Sequence, residues 1–384
     1  MIHYSKHCIQ NDDIKTVISV LKSDYLTTGP VVPKFERYIN NFVGSKFSVA
    51  VNSATSALHI SCLALGLKKG DILWTSPNSF CASANCALHC GAKVNFVDIN
   101  KEDFNICLNQ LEHKLKEAKK KKKLPKIIIP VHFAGYSCDM KYLNFLSKKY
   151  KFKIIEDASH ALGGKYLNKN VGNCKFSDIT VFSFHPVKTI TTIEGGIATT
   201  NNKMIYNKLL LLRNHGINKS NVHLNDTLKL RSFYNQELLG FNFRMNDVQA
   251  ALGISQLKKI SKFINLRKKI SKFYDDRLKE FPLKTQKKGI FSTSSHHLYV
   301  INLVNKFFKR DELLKILKKN KINAGIHYIP IHLHSYYQNL GFKKGDFPNS
   351  ENFYKNAISL PIYPDLKLKQ LKFIIKIIKN FFKV

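Results

Sequence analysis

Short runs of strand-forming residues alternate with helical stretches through the first half of this chain. The β-rich runs lie at residues 47–51, 72–75, 93–97, 126–131, 152–156, 179–184 and 196–200. This alternation predicts an α/β fold with a mostly parallel central sheet and helices on both faces. Side chains that directly follow the strands then meet at one edge of the sheet, where such folds place their functional residues.

The second half of the chain predicts a smaller α/β layer. Residues 245–281 indicate a long connecting helix, and strands are expected at 297–303 and 322–328. We predict a large domain at residues 1–250 and a small C-terminal domain at 251–384. The final stretch, 371–384, has lysines on one helical stripe and isoleucine or phenylalanine on the other. Packing of this helix against its own domain is favoured over a peripheral membrane helix.

Composition restricts the class of protein. The chain has 384 residues, of which 44% are hydrophobic, enough for a large buried core. No charge-free apolar run approaches the roughly 18 residues of a membrane span, and the first residues lack the layout of a signal peptide. We therefore expect a cytoplasmic protein. Eight scattered cysteines without CxxC pairs predict reduced thiols, with no metal site.

The formal net charge of +36 is typical of proteins that bind nucleic acids or anionic membranes. Here the excess is spread along the chain, and 55 of the 62 basic residues are lysine. Base recognition favours the planar fork of arginine. We interpret the charge as a compositional bias, with the run 119–123 as a solvated turn, and expect neither a nucleic-acid nor a membrane partner. A lysine-rich nucleic-acid-binding protein remains the alternative from another class.

Two of the predicted strand ends carry ionisable side chains of complementary chemistry. Asp157 follows the run 152–156, and Lys188 follows the run 179–184 after a short loop. A lysine amine can hold an aldehyde cofactor as an imine, and a carboxylate beside a pyridine nitrogen keeps that nitrogen protonated. A pyridinium would also supply the partner that a sheltered carboxylate needs. The pair predicts amino-group transfer with pyridoxal phosphate.

The strand at 47–51 leads directly into a helix start rich in small residues at 52–58. Such a start is a typical phosphate site. Simpler interpretations exist for the single residues. Asp157 would cap a turn, Lys188 would be solvated, Ser183 would satisfy backbone groups at a strand end, and Phe80 would belong to the core.

Four separated segments resemble the DegT/StrS family of nucleotide-sugar aminotransferases. They lie at residues 52–58, 157–160, 182–188 with 194–196, and 240–246. The resemblance covers essentially the whole chain and implies a fold-type I architecture, that of a pyridoxal-phosphate-dependent transferase. Within the family, the chain is most similar to enzymes of pseudaminic-acid biosynthesis. These transfer an amino group from L-glutamate to C4 of a UDP-linked 4-keto-6-deoxy-N-acetylhexosamine.

The resemblance implies a role for each matching residue. The predicted catalytic residues are Lys188, which would form the imine, Asp157, which would pair with the pyridine nitrogen, and His160, which would support the ring or that carboxylate. The other predicted cofactor contacts are Ala54, Thr55 and Ser183 for the phosphate, Phe80 for stacking on the ring, and Asn242 for the phosphate of the neighbouring subunit. That last contact implies a homodimer with shared active sites.

The family's substrate positions correspond to residues from several parts of the chain. They are Tyr4, Asp24, Tyr25, Leu26, Thr27, Ala54, Ser183, Asn242, Gly325, Ile326, His327 and Tyr328. The lysine run at 119–123 and a lengthened segment at 218–237 depart from the family pattern. Lys188 argues against a related dehydratase, in which histidine replaces the lysine. An aminotransferase for another nucleotide sugar, dTDP- or GDP-linked or of the perosamine or bacillosamine type, and a non-catalytic relative remain alternatives.

Overall fold

The computed structural model describes residues 1–218, 234–304 and 307–383. At its centre lies a seven-stranded sheet. Its strands are β1 (Phe47–Val51), β2 (Ile72–Thr75), β3 (Lys93–Phe96), β4 (Ile127–Ile129), β5 (Lys153–Asp157), β6 (Ile179–Ser183) and β7 (Gly196–Thr200). Their order across the sheet is β1-β7-β6-β5-β4-β2-β3. Only β7 runs antiparallel to its neighbours, which confirms the predicted α/β class.

Helices cover both faces of this sheet. They are α1 (Asn11–Leu21), α2 (Val31–Val43), α3 (Ala54–Ala64), α4 (Ala82–His89), α5 (Leu108–Lys120), α6 (Met140–Tyr150), α7 (Lys203–Arg213) and α8 (Asp247–Leu257). Side chains alternate along each strand, so Ile127 and Ile129 pack with α3, α4 and α7, whereas Ile128 packs with α5 and α6. Each face therefore has its own apolar core.

A second layer follows in the chain. Its antiparallel sheet contains β8 (Leu283–Thr285), β9 (Tyr299–Leu303) and β10 (Ala357–Leu360), with β9 in the middle. The other α-helices of the described ranges are α9 (Ile260–Leu278), α10 (Arg310–Lys319), the short α11 (Ser335–Gln338), α12 (Pro348–Asn356) and α13 (Leu368–Phe382). The apolar stripe of α13 is buried in this layer's core, which confirms that the final helix packs against its own domain. The division at residues 250 and 251 stays a prediction.

Two predicted elements are wrong. The stretch 245–281 forms two helices, because α8 packs against α1 and α2 of the first layer while α9 contributes to the second core. The stretch 322–328 is not a strand and makes only two isolated bridges, from Ile322 to Ile2 and from Gly325 to Ser359. The edge position beside β9 belongs to β10, whose four residues are too few for a periodicity to be recognised in the sequence.

The two departures from the family pattern differ in what the structure describes. The side chains of the lysine run 119–123 are all exposed, at the end of α5 and in the following turn, which confirms a solvated turn. Most of the lengthened segment 218–237, namely 219–233, lies outside the described residues. None of the helices in the described part of the chain combines the length and apolarity that crossing a membrane would require.

The N-terminal segment connects the two layers. The Ile2 N–H donates to the Lys321 carbonyl at 2.8 Å, and the Tyr4 carbonyl accepts from the Ile362 N–H at 3.0 Å. The Ser5 hydroxyl then donates to the Val187 carbonyl at 2.9 Å. Four residues thus join the second core to the loop that carries Lys188.

Candidate active site

A cavity of about 440 Å³ opens at the carboxyl ends of β1, β5 and β6. The structure brings many of the predicted site residues together in its walls. They are Tyr4, Ala54, Thr55, Phe80, Asp157, His160, Ser183, Lys188, His327 and Tyr328. A larger cavity of about 730 Å³ lies elsewhere, beside Phe104, Asn302 and Phe353, and contains none of them. The chemistry of the smaller cavity makes it the candidate active site.

Lys188 lies in the loop after β6, where its N–H donates to the His185 carbonyl at 2.9 Å. Burial lowers the pKa of its amine to about 8, although the negative charge of Asp157 acts in the opposite direction. Desolvation disfavours the ammonium form. A much larger fraction of this amine than of an ordinary lysine is therefore neutral and nucleophilic near physiological pH.

Asp157 ends β5 and is only 5% exposed. One carboxylate oxygen accepts from the Ser83 hydroxyl at 2.6 Å. The other accepts from the hydroxyl and the N–H of Ser159, at 2.6 and 3.1 Å. The two hydrogen bonds from Ser159 form the local turn that the simpler interpretation of Asp157 predicted, but they involve only one of its two oxygens. Since each oxygen has two lone pairs, the carboxylate can still accept a hydrogen bond from a ring N–H in the cavity.

A buried hydrogen-bond network lies on the opposite face of β5, and sequence reasoning missed it. Glu156 accepts from Thr180 at 2.9 Å and from Ser177, and its other oxygen lies 2.7 Å from Nε2 of His132. Burial alone would raise the pKa of Glu156, but these hydrogen bonds and His132 outweigh it and lower the pKa. The His132 N–H donates to the Asp157 carbonyl at 3.1 Å, so the network supports the backbone of the site. Strand alternation was the available signal, since it places Glu156 opposite Asp157.

The first turn of α3 forms another wall. Ser53 caps the helix, because its hydroxyl accepts from the Ser56 N–H at 3.1 Å. Ala54 and Thr55 line the cavity, and because they begin the helix, their N–H groups have no acceptor within it. Free N–H groups at a helix start favour an anion such as a phosphate. Gly196 permits the close approach of β7, since a Cβ there would lie 2.4 Å from the Ala54 nitrogen.

Aromatic rings and imidazoles form the remaining walls. Phe80 is 59% exposed, which excludes the core interpretation and leaves its face open to a planar ring. The ring centroids of His160 and His297 lie 4.4 Å apart. Burial lowers the pKa of His160, of His297 and of His327, the last to about 4, so all three rings are neutral. Sequence reasoning missed His297, whose only signal was its position at the start of a predicted strand.

Other predicted residues do not line this cavity. They are Asp24, Tyr25, Leu26, Thr27, Asn242, Gly325 and Ile326. The turn that contains Leu26 is anchored to α8, because the Leu26 carbonyl accepts from the Asp247 N–H at 3.0 Å. Asn242 forms an isolated bridge with Asn214. Their roles, including the contact of Asn242 with a second subunit, stay predictions.

No group of three potential metal ligands with suitable geometry occurs in the ranges that the structure describes. The cavity beside Lys188 and Asp157 offers an amine and a carboxylate to an organic ligand. Its residues fit pyridoxal phosphate, with an amine for the aldehyde, a carboxylate for the ring nitrogen and a helix start for the phosphate.

Comparison with known proteins agrees with this geometry. The family model described as the DegT/DnrJ/EryC1/StrS aminotransferase family matches residues 7–379. A UDP-4-amino-4,6-dideoxy-N-acetyl-beta-L-altrosamine transaminase of Campylobacter jejuni (strain 81-176) is 40% identical over 376 residues, which cover 97% of this chain and 96% of that protein.

Two solved structures are similar over the whole chain. PseC of Helicobacter pylori, an aminotransferase involved in the biosynthesis of pseudoaminic acid, is 35% identical with a TM-score of 0.91, and the match covers 100% of this chain and 99% of that one. The putative sugar aminotransferase Spr1654 of Streptococcus pneumoniae, in its PMP form, is 29% identical with a TM-score of 0.92 and the same coverage. This chain belongs to the DegT/DnrJ/EryC1/StrS aminotransferase family.

Proposed function

We propose that this chain is a pyridoxal-phosphate-dependent aminotransferase that moves the amino group of L-glutamate to C4 of a UDP-linked 4-keto-6-deoxy-N-acetylhexosamine by a ping-pong mechanism. The observation that carries the proposal is the opening of Lys188, Asp157 and the start of α3 onto one cavity. The names of the C. jejuni and H. pylori relatives support the substrate and the place in pseudaminic-acid biosynthesis.

Each residue then has a defined task toward the cofactor. When bound, pyridoxal phosphate supplies an electron sink that stabilises negative charge at the reacting carbon. Asp157 would keep the ring nitrogen protonated, and the start of α3 with Ser183 would hold the phosphate. Phe80 would stack on the ring and so restrict which of its faces reacts.

Lys188 moves the proton in both halves of the reaction. Its amine, with a pKa of about 8, removes a proton from Cα of L-glutamate. In the second half, it delivers a proton to C4 of the sugar. A base with a pKa near the working pH is suited to both directions. The positive charge of the chain also attracts a substrate with a diphosphate.

A panel of UDP-, dTDP- and GDP-linked 4-keto sugars with L-glutamate tests the substrate. We expect yellow purified protein and an amino sugar from the UDP-linked substrate, identified by product mass and stereochemistry. Product from a dTDP- or GDP-linked sugar alone would contradict the proposed substrate. Protein without a cofactor absorption band but with salt-sensitive nucleic-acid binding would support the competing class.

We also propose a cytoplasmic homodimer with shared active sites, in which Asn242 reaches the partner's cofactor phosphate. Mixing of two inactive variants, Lys188→Ala and Asn242→Ala, tests this arrangement. A statistical mixture of dimers restores one complete site in half of the molecules, so about a quarter of the parental activity should return. Failure to recover activity after subunit exchange, with dimers formed, would contradict the sharing.

A further inference from the structure

The hydrogen bonds of His160 have a fixed direction. Nδ1 of His160 lies 3.3 Å from the backbone nitrogen of Ala134, and a backbone N–H can only donate. Nδ1 is therefore the acceptor. Burial, together with the positive charge of Lys188, holds the pKa of His160 well below its ordinary value. In the neutral ring, the single proton consequently lies on Nε2.

This assignment determines the role of the hydroxyl of Tyr328. Nε2 of His160 lies 3.0 Å from Oη of Tyr328. Because Nε2 carries the proton, His160 donates this hydrogen bond and the tyrosine oxygen accepts it. The O–H proton of Tyr328 must then point elsewhere, and among the described residues the hydroxyl has no second protein partner. Burial, and to a lesser extent Asp157 and Tyr4, raises the pKa of Tyr328, so the phenol keeps this proton.

A ligand in the cavity can supply an acceptor for the O–H group of Tyr328. Tyr328 and His160 both line it, and the Tyr328 ring lies 6.4 Å from the exposed ring of Phe80. Burying an O–H donor away from water without giving it a new acceptor costs free energy. His160 makes no hydrogen bond to Asp157, whose oxygens accept from Ser83 and Ser159. His160 therefore acts on the site through its hydrogen bond to Tyr328 and not through the Asp157 carboxylate.

We propose that Tyr328 donates its phenolic O–H to an oxygen atom of the ligand bound in this cavity, and that His160 is the positioning residue that sets the direction of this bond. The inference rests on the proposed function. The acceptor is either the ring hydroxyl oxygen of the cofactor or the oxygen of a substrate. A donor aimed at either atom stabilises negative charge that develops there during the reaction.

The test uses the full-length protein and three single variants. Tyr328→Phe removes only the hydroxyl. His160→Ala removes the donor that fixes the tyrosine, and His160→Gln keeps an N–H donor of similar reach. The absorption band of the bound cofactor is recorded, and the half-reactions with L-glutamate and with the keto sugar are followed separately in single turnovers. Tyr274→Phe is the matched control, because it removes the hydroxyl of another fully buried tyrosine, one that donates to the Pro361 carbonyl.

We expect Tyr328→Phe to slow at least one half-reaction roughly tenfold or more, while the control stays near the parental rate. A shifted absorption band with both half-reactions slowed assigns the cofactor oxygen as acceptor. An unchanged band with one half-reaction slowed assigns the oxygen of that substrate. His160→Ala should reproduce the defect, His160→Gln should restore most of the rate, and the double variant Tyr328→Phe with His160→Ala should be no slower than either single variant.

Parental behaviour of Tyr328→Phe in the band and in both half-reactions would overturn the inference. If the rate losses of Tyr328→Phe and His160→Ala multiply in the double variant, the two residues act independently, and the inference is overturned as well. If Tyr328→Phe fails to fold, equal rates in His160→Ala and His160→Gln would likewise overturn it. A parental protein that neither binds the cofactor nor reacts would instead contradict the proposed function.

Discussion

The amine of Lys188 should react with pyridoxal phosphate at a pH far below that required by an ordinary lysine. Burial lowers its pKa from 10.5 to about 8. At pH 7 this change raises the neutral fraction of the amine from about 0.03% to about 10%, roughly 300-fold. Protein stripped of cofactor would be mixed with pyridoxal phosphate over a range of pH, and capture followed by absorbance. Borohydride reduction and peptide mapping would separate position 188 from surface lysines.

We expect the rate at position 188 to rise about tenfold per pH unit and to level off near pH 8. Asp157→Asn removes the charge that favours the ammonium, so its plateau should begin at a lower pH. Lys188→Ala should show no capture at this position and serves as the control. A parental rate that climbs steadily to about pH 10 would refute the argument, because the amine would then have the pKa of a solvated lysine.

The same shift connects stability to pH. Below pH 8 the amine is protonated in both the folded and the unfolded protein, and the fold bears the full cost of the buried ammonium. Between about pH 8 and 10.5 the unfolded chain binds more protons, so the cofactor-free protein gains stability as the pH rises. Relative to Lys188→Met, which has no such charge, the gain should be at most about 3 kcal/mol, measured by urea denaturation.

Three further predictions concern the surroundings of the amine. Asp157→Asn should lower turnover at least about 100-fold with unchanged circular dichroism, since a neutral amide cannot keep the ring nitrogen protonated; unchanged turnover would remove Asp157 from the mechanism. Ser53→Ala should cost about 1 kcal/mol in thermal denaturation and weaken cofactor binding, and equal affinity would argue against phosphate binding by α3. Glu156→Gln should destabilise the fold by about 2 kcal/mol, because its amide N–H₂ faces donors where the carboxylate accepted; an unaltered urea midpoint would show that the network does not depend on charge.

The sequence predicted the parts of the site that follow from the sheet. The carboxyl ends of adjacent parallel strands meet at one edge, so the strand pattern alone was enough to place Asp157, Ser183 and the start of α3 together. The family resemblance added His160, His327 and Tyr328, which the structure also brings to the cavity.

Contacts between distant segments could not be predicted in the same way. His160 and Tyr328 are 168 positions apart, and no local pattern encodes the direction of their hydrogen bond. The break between α8 and α9 could not be predicted for the same reason, because a continuous helical periodicity does not reveal that its two parts pack on different cores. The turn at 24–27 and Asn242 have predicted roles that involve surfaces beyond this cavity, and one chain's sequence does not specify them.

The connection made by Ile2, Tyr4 and Ser5 has a mechanical consequence. Any rocking of the second layer toward the sheet on substrate capture would be transmitted along these residues to the Val187 carbonyl, next to the reactive amine. Such a movement of the second layer and the alignment of Lys188 would therefore be coupled through these few residues. A substitution that changes how the two layers dock would then alter turnover without touching any residue that meets the substrate.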